Sequence, residues 1–266
     1  MRFSSLLSGG LDGFRPNRPV GAAARAAFTV ATIAALLLLW QHGPAALPRP
    51  TEIAQALATL WNDHGLADEL TTSLWLNLRA LAWSTAIALG LAYLSVTAAA
   101  RPLVSALSTL RFSGLVGWTF VLALVTSGAS LKLWMVVLGM TPFFVTSMAA
   151  VVDAIPRERY EHARTLGLGS WRIVWEVVVR GTADQALESL RHNAAIGWAM
   201  LTTVEGVVRG EGGLGAMLLN HSKHLQLDAV FALILVVLAI GLLQDRVLVW
   251  LRRALFPYAV IAAERS

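Results

Sequence analysis

A chain of 266 residues that is 56% hydrophobic and only 14% charged carries more apolar surface than one soluble core uses, and it reads as an integral membrane protein. Its formal charge of +5 is dispersed among hydrophobic stretches, with no basic face and no aromatic-stacking motif, which excludes nucleic acid as a partner. Without cysteine it has no disulfide framework, thiolate metal site or catalytic cysteine. Without a G-x-x-x-x-G-K-S/T phosphate loop it is not expected to hydrolyse ATP.

Met1 to Arg25 carries Arg2, Arg15, Arg18 and Arg25 against Asp12 alone and reads as a tail, bounded at residues 1–21. Residues 22–40 predict the first transmembrane helix, with Trp40 at an interface. At a rise of about 1.5 Å per residue that stretch just crosses a hydrocarbon core of about 30 Å. The long basic leader and the lack of an A-x-A site weigh against a cleaved signal peptide. Residues 41–72 hold Pro44, Pro48 and Pro50, then TEIAQALATLW, an amphipathic surface helix in an acidic connection.

Ser73 to Val96 is the second expected span, with Asn77 and Arg79 in its outer part and Gly90 where helices can pack closely. Leu103 to Thr126 is a third, interrupted at Arg111 and Ser113 to Gly117. After the turn SGASLK comes a fourth, Leu131 to Val152, in which Pro142 predicts a kink. Gln185 to Val204 and Ala229 to Trp250 are the fifth and sixth. Residues 73–252 make the core and 253–266 a second tail. Alternating strand patterns and strong internal repeats are absent, so the expected fold is all-α, a polytopic transmembrane bundle of about six spans.

The charges orient it. Fifteen of the 21 lysines and arginines fall in residues 1–25, the turn after the second span, residues 153–181 and the C-terminal stretch from Arg246 onward. Only Arg49, Lys132, Arg209 and Lys223 fall on the opposite side. The arginine-rich side, with both termini, is therefore placed in the cytoplasm.

Residues 153–181, DAIPRERYEHARTLGLGSWRIVWEVVVRG, stand out as a polar island between apolar spans. Pro156 opens a helix where no N–H is needed, and Gly167 and Gly169 close it and let a second helix turn away. In the first helix Tyr160, Ala163 and Leu166 recur at three-residue spacing, giving one apolar face, while Arg159, Glu161, His162 and Arg164 lie elsewhere. Such an element suits the docking of a soluble partner; a solvated surface loop is the plainer reading.

Glu161, Ala163 and Gly167, followed by Val177, Val179 and Arg180, stand at the spacing E-x-A-x3-G-x9-I-x-L-P. That pattern resembles the cytoplasmic signature loop of ABC importer permeases, the membrane components of binding-protein-dependent transport. Arg180 stands where the pattern has proline and His162 where a second alanine is common. LPRPTEIAQAL at Leu47 to Leu57, the helix near Ser73 to Val96, and EGGLGAMLLN at Glu211 to Asn220 look like the nitrate, sulfonate and taurine permeases in particular. The resemblance implies a type I importer permease in a bacterial inner membrane, with a cytoplasmic coupling helix between spans four and five. Tyr160, Glu161, Ala163, Arg164 and Gly167 would seat that helix on an ATPase subunit. It further implies two such permeases, expected as a homodimer, two ATPase copies holding ATP and magnesium, and a periplasmic or lipid-anchored binding protein. No cofactor is expected in this chain. The solute implied is small and anionic.

Glu188, Arg191 and His192 cluster near the start of the fifth span and Glu205 lies near its far end. Ionisable groups are expensive in a span unless they face water or each other. Glu188 and Arg191, three apart, are positioned to pair. Two readings stand for these four residues: a pathway or gate, and internal ion pairs at the membrane edge. His42, His64, His221 and His224 lack the carboxylate or cysteine that would complete a metal site and are expected as exposed loop histidines. Gly210, Gly212, Gly213 and Gly215 predict a tight outer loop that either meets a binding protein or simply connects helices. Against the transporter stand a non-transporting scaffold of permease fold and an intramembrane enzyme using Glu188, His192 and Glu205, which lacks any nucleophile–base pair.

Overall fold

The computed structural model describes residues 21–41, 43 and 47–257. Nearly all of the expected N-terminal tail, His42, Pro44 and the C-terminal tail from residue 258 lie outside the described residues. The chain divides into two compact units, Met1–Gln55 and Ala56–Ser266.

In the first unit, α1 (Ala22–Gln41) is the expected first span, and its apolar side chains are exposed along its length, among them Phe28, Ile33, Leu36 and Leu39. Thr29 and Thr32 turn their hydroxyls back to Arg25 O and Phe28 O, so that no polar group is left loose on an apolar helix. Trp40 Nε1 then donates to Pro48 O at 3.1 Å. Helix α2 (Pro50–Asp63) opens with proline at its first position, and Glu52 accepts the N–H of Arg49 at 2.8 Å.

The second unit is built on three long helices. α3 (Leu66–Leu94) starts seven residues before the expected second span, because Gly65 at φ 66° turns the chain and Asp68 and Glu69 favour the positive end of the helix dipole. It buries a face of small residues, Ser73, Asn77, Ala80, Ser84, Ala88 and Ala92, which brings its backbone close to α6 (Gly128–Asp153). Helix α6 runs unbroken through Pro142, and Phe144, Val145 and Met148 sit with Ala88 and Ala92 in the core. Helix α9 (Ala183–Val207) lies against both.

Between α3 and α6 the expected third span is broken. α4 (Arg101–Thr109) ends in a 3-10 turn over Leu110–Phe112, and α5 (Leu115–Ala123) leaves at a bend of 115°. Ser113 and Gly114 are extended there, ψ 129° and 133°, which no helix accommodates. After α6 come α7 (Arg157–Thr165), the single turn α8 (Ser170–Ile173) and a π turn over Val174–Arg180, then α9, α10 (Leu214–Lys223) and α11 (Leu227–Leu255). Among the described residues four helices, α1, α3, α6 and α11, are long and apolar enough to cross a membrane, or five spans if the bent pair is counted as one. Helix α9 has the length, 25 residues, but Glu188, Arg191, His192 and Asn193 dilute its hydropathy, so the expected six reduce to four or five on this criterion.

Candidate functional site

The polar island folds as a short helix, an elbow and a second short helix. Pro156, at φ −61° and ψ 141°, caps α7 rather than forming its first turn. Glu158 in the first turn and His162 and Arg164 in the last match the helix dipole. Leu168 N donates to Ala163 O and Gly167 N to Arg164 O, the paired bonds of a Schellman stop. Gly167 adopts φ 73°, and a Cβ there would meet nothing within 4 Å, so conformation and not space demands glycine.

Ala163 is only 5% exposed; its methyl is spent inside the chain, and the face open to a second protein is Glu161, His162 and Arg164 with Leu166. Leu166, expected on the apolar face with Tyr160 and Ala163, is instead 65% exposed. Tyr160 is half-buried, and burial, followed by the nearby Asp153 carboxylate, pushes its phenol above the ordinary value. Arg180, at the motif's proline position, pairs with Glu176 at 3.0 Å on the surface. Because its backbone continues the π turn, the chain is broken one residue later, where a Cβ on Gly181 would run into Val177 O and Thr182 bonds back to Val178 O.

The expected Glu188–Arg191 pair forms at 3.3 Å. It belongs to a ladder that ties α9 to α11: Arg191 Nε to Asp245 at 3.0 Å, Arg252 to Glu188 at 2.7 Å, and Arg252 to Asp184 at 3.9 Å. His192 lies at its edge, largely exposed, with Nε2 3.9 Å from Glu188 Oε1 and Nδ1 2.9 Å from Glu188 O. Asp245 went unread in the sequence, although a carboxylate inside an apolar span was signal enough. Deeper in, Gln244 Oε1 accepts from both Asn77 Nδ2 at 3.0 Å and Trp198 Nε1 at 2.7 Å. A groove of about 520 Å³ runs beside this seam along α9 and α11, with Arg191, Trp198 and Asp245 in its wall, and another of about 700 Å³ continues past Thr202 to Gly206, Gly215 and Leu218.

Glu205 is sealed, 0% exposed, and lines neither groove. Its Oε1 accepts from Ser73 Oγ at 2.7 Å and its Oε2 from Gly215 N at 2.8 Å. Ser73 in turn accepts from Leu214 N at 2.8 Å, and Gly213 N donates to Glu69. The glycine loop is thus drawn onto α3 and α9. Lys132, expected in an exposed turn, is 2% exposed and donates to Gly212 O at 2.6 Å. His221, expected on a loop, is 8% exposed on α10, its ring edge-on to His64 at 5.9 Å. Among the described residues no three histidines, aspartates or glutamates group to hold a metal.

Residues 102–257, more than half the chain and containing the polar island, the ladder and the glycine loop, match the family of binding-protein-dependent transport system inner membrane components. The chain belongs to that family: it is a multi-pass membrane permease subunit of an ABC transporter. It is 25% identical over 248 residues to the taurine transport system permease protein TauC of Escherichia coli (strain K12), an alignment covering 86% of this chain and 89% of the relative. An ABC transporter permease of Methanocaldococcus jannaschii, by its name, is 28% identical over 105 residues, 40% of this chain and 39% of the relative.

Proposed function

We propose that this chain forms half of the solute pathway of a bacterial ABC importer, pairs with a second copy of itself, and takes its motion from a separate ATPase seated on α7. The observation that carries this reading is the elbow at Ala163–Leu168. A short charged helix, stopped by a left-handed glycine and joined through α8 and the π turn to α9 across the tight break at Gly181, is a handle tied to a helix of the core. Force applied at Glu161, His162 and Arg164 passes into α9 without being lost in a flexible loop. ATP and magnesium belong to the partner, and the binding protein meets the face remote from α7.

The solute is small and carries an anionic group, a sulfonate, nitrate or similar. The relative named for taurine supports that class. With a tag on the C-terminus and gentle extraction, an ATPase subunit is expected to co-purify with the wild type. Glu161→Arg reverses an exposed charge, and Gly167→Pro forbids the positive φ that stops α7; both are expected to lose the ATPase while remaining in the membrane. Retention of the ATPase by both variants, or its absence from the wild type, would defeat this reading.

A further inference from the structure

Helices α6 and α9 run in opposite directions away from the polar island, so Gly128 and Val207 mark the end of the bundle remote from it. There the amides of the N-cap Gly213 and of the first two residues of α10 meet no side-chain cap from Gly213 itself. They are held by side chains from elsewhere: Gly213 by Glu69, Leu214 by Ser73, Gly215 by Glu205. Ser73 accepts from Leu214 N, so its own hydrogen points to Glu205, and both oxygens of Glu205 are acceptors. The one carboxylate thereby pins α3, α9 and the start of α10 together. Lys132 adds α6 through Gly212 O. The fit leaves no slack: a Cβ on Gly213 would overlap the Glu205 carboxylate, and one on Gly215 would meet the Thr202 carbonyl.

Gly215 has a second neighbour. It also forms the wall of the groove of about 700 Å³, with Thr202, Gly206 and Leu218. Holding α10 against α9 and closing that groove are therefore the same act. We propose that this clasp is a latch, and that its release swings the start of α10 off α9 and opens the groove toward the remote face. The link to transport rests on the importer reading above; the latch itself does not.

Since the chain has no cysteine, Leu214→Cys places a single thiol at a fully buried position of the clasp. In nanodiscs, with any co-purifying ATPase retained, its reaction with a membrane-impermeant maleimide is timed with the clasp intact and with Glu205→Gln or Ser73→Ala added. Glu205→Gln leaves one acceptor oxygen for the Ser73 hydroxyl and the Gly215 N–H together and is expected to speed labelling about tenfold, and Ser73→Ala about fivefold. MgATP is expected to speed labelling of Leu214→Cys alone, a response that a merely structural tie would not give. Unchanged rates in both clasp variants overturn the latch, as does a complex with ATPase bound in which nucleotide changes nothing. If Glu205→Gln is not recovered folded, Ser73→Ala, which removes one hydroxyl, decides. If no ATPase co-purifies, the importer reading fails, and the latch stands or falls on the clasp variants alone.

Discussion

Tyr160 shows how much a single residue of the elbow reports. Its phenol is held above the ordinary 10.0 by burial first and Asp153 second. The folded chain binds that proton more tightly than the unfolded chain, so its contribution to stability is complete below about pH 10 and is lost as pH climbs through the folded value. Ultraviolet titration of the wild type against Tyr160→Phe is expected to assign the missing phenolate to a step above the ordinary tyrosine value, and Asp153→Asn to move that step down. The residue scale is also where the sequence was easiest to misread. Glu188–Arg191 was legible because three residues along a helix suffice to bring partners together. Glu205 was legible as an anomaly only, since Ser73 lies 132 residues away. Ala163 was legible as small but not as buried, because its cover is the chain's own elbow.

At the level of elements, hydropathy located α1, α6 and α11 to within a few residues, since long apolar runs have few alternatives. It failed at both kinds of exception. The first turns of α3 are polar because they join the clasp, so they resembled a loop. The third span reads as one span interrupted at Arg111 and Ser113 to Gly117, and the break falls there, though its composition does not reveal the bend that two extended residues create. The ladder between α9 and α11 was invisible until Arg252 and Asp245 were brought to α9 in space. It makes a measurable difference: Arg252→Met leaves Asp184 without its cation and Glu188 with Arg191 alone, and melting of the detergent-solubilised protein is expected to show a loss of about 1–2 kcal/mol. In a double-mutant cycle with Glu188→Gln the two changes are expected to couple by about 1 kcal/mol. Additive effects would mean that the 2.7 Å contact contributes nothing.

For the whole molecule, the arginine bias predicts a cytoplasmic polar island and a clasp on the opposite side. Two conservative replacements at exposed positions check it. In intact cells Ser222→Cys is expected to react with an impermeant maleimide, and Ser170→Cys only after the membrane is opened; the reverse order would invert the topology. The clasp also bears on how such a chain is made. The start of α10 is completed by Glu69 and Ser73, residues more than 140 positions earlier, so this late helix settles only on a hairpin of early ones already in place. A nascent chain that misplaces α3 arrives at α10 with three bare amides and an unpaired carboxylate in a region poor in water, each costly to leave unmet. Correct placement of α3 is therefore a physical condition for the start of α10 to be satisfied.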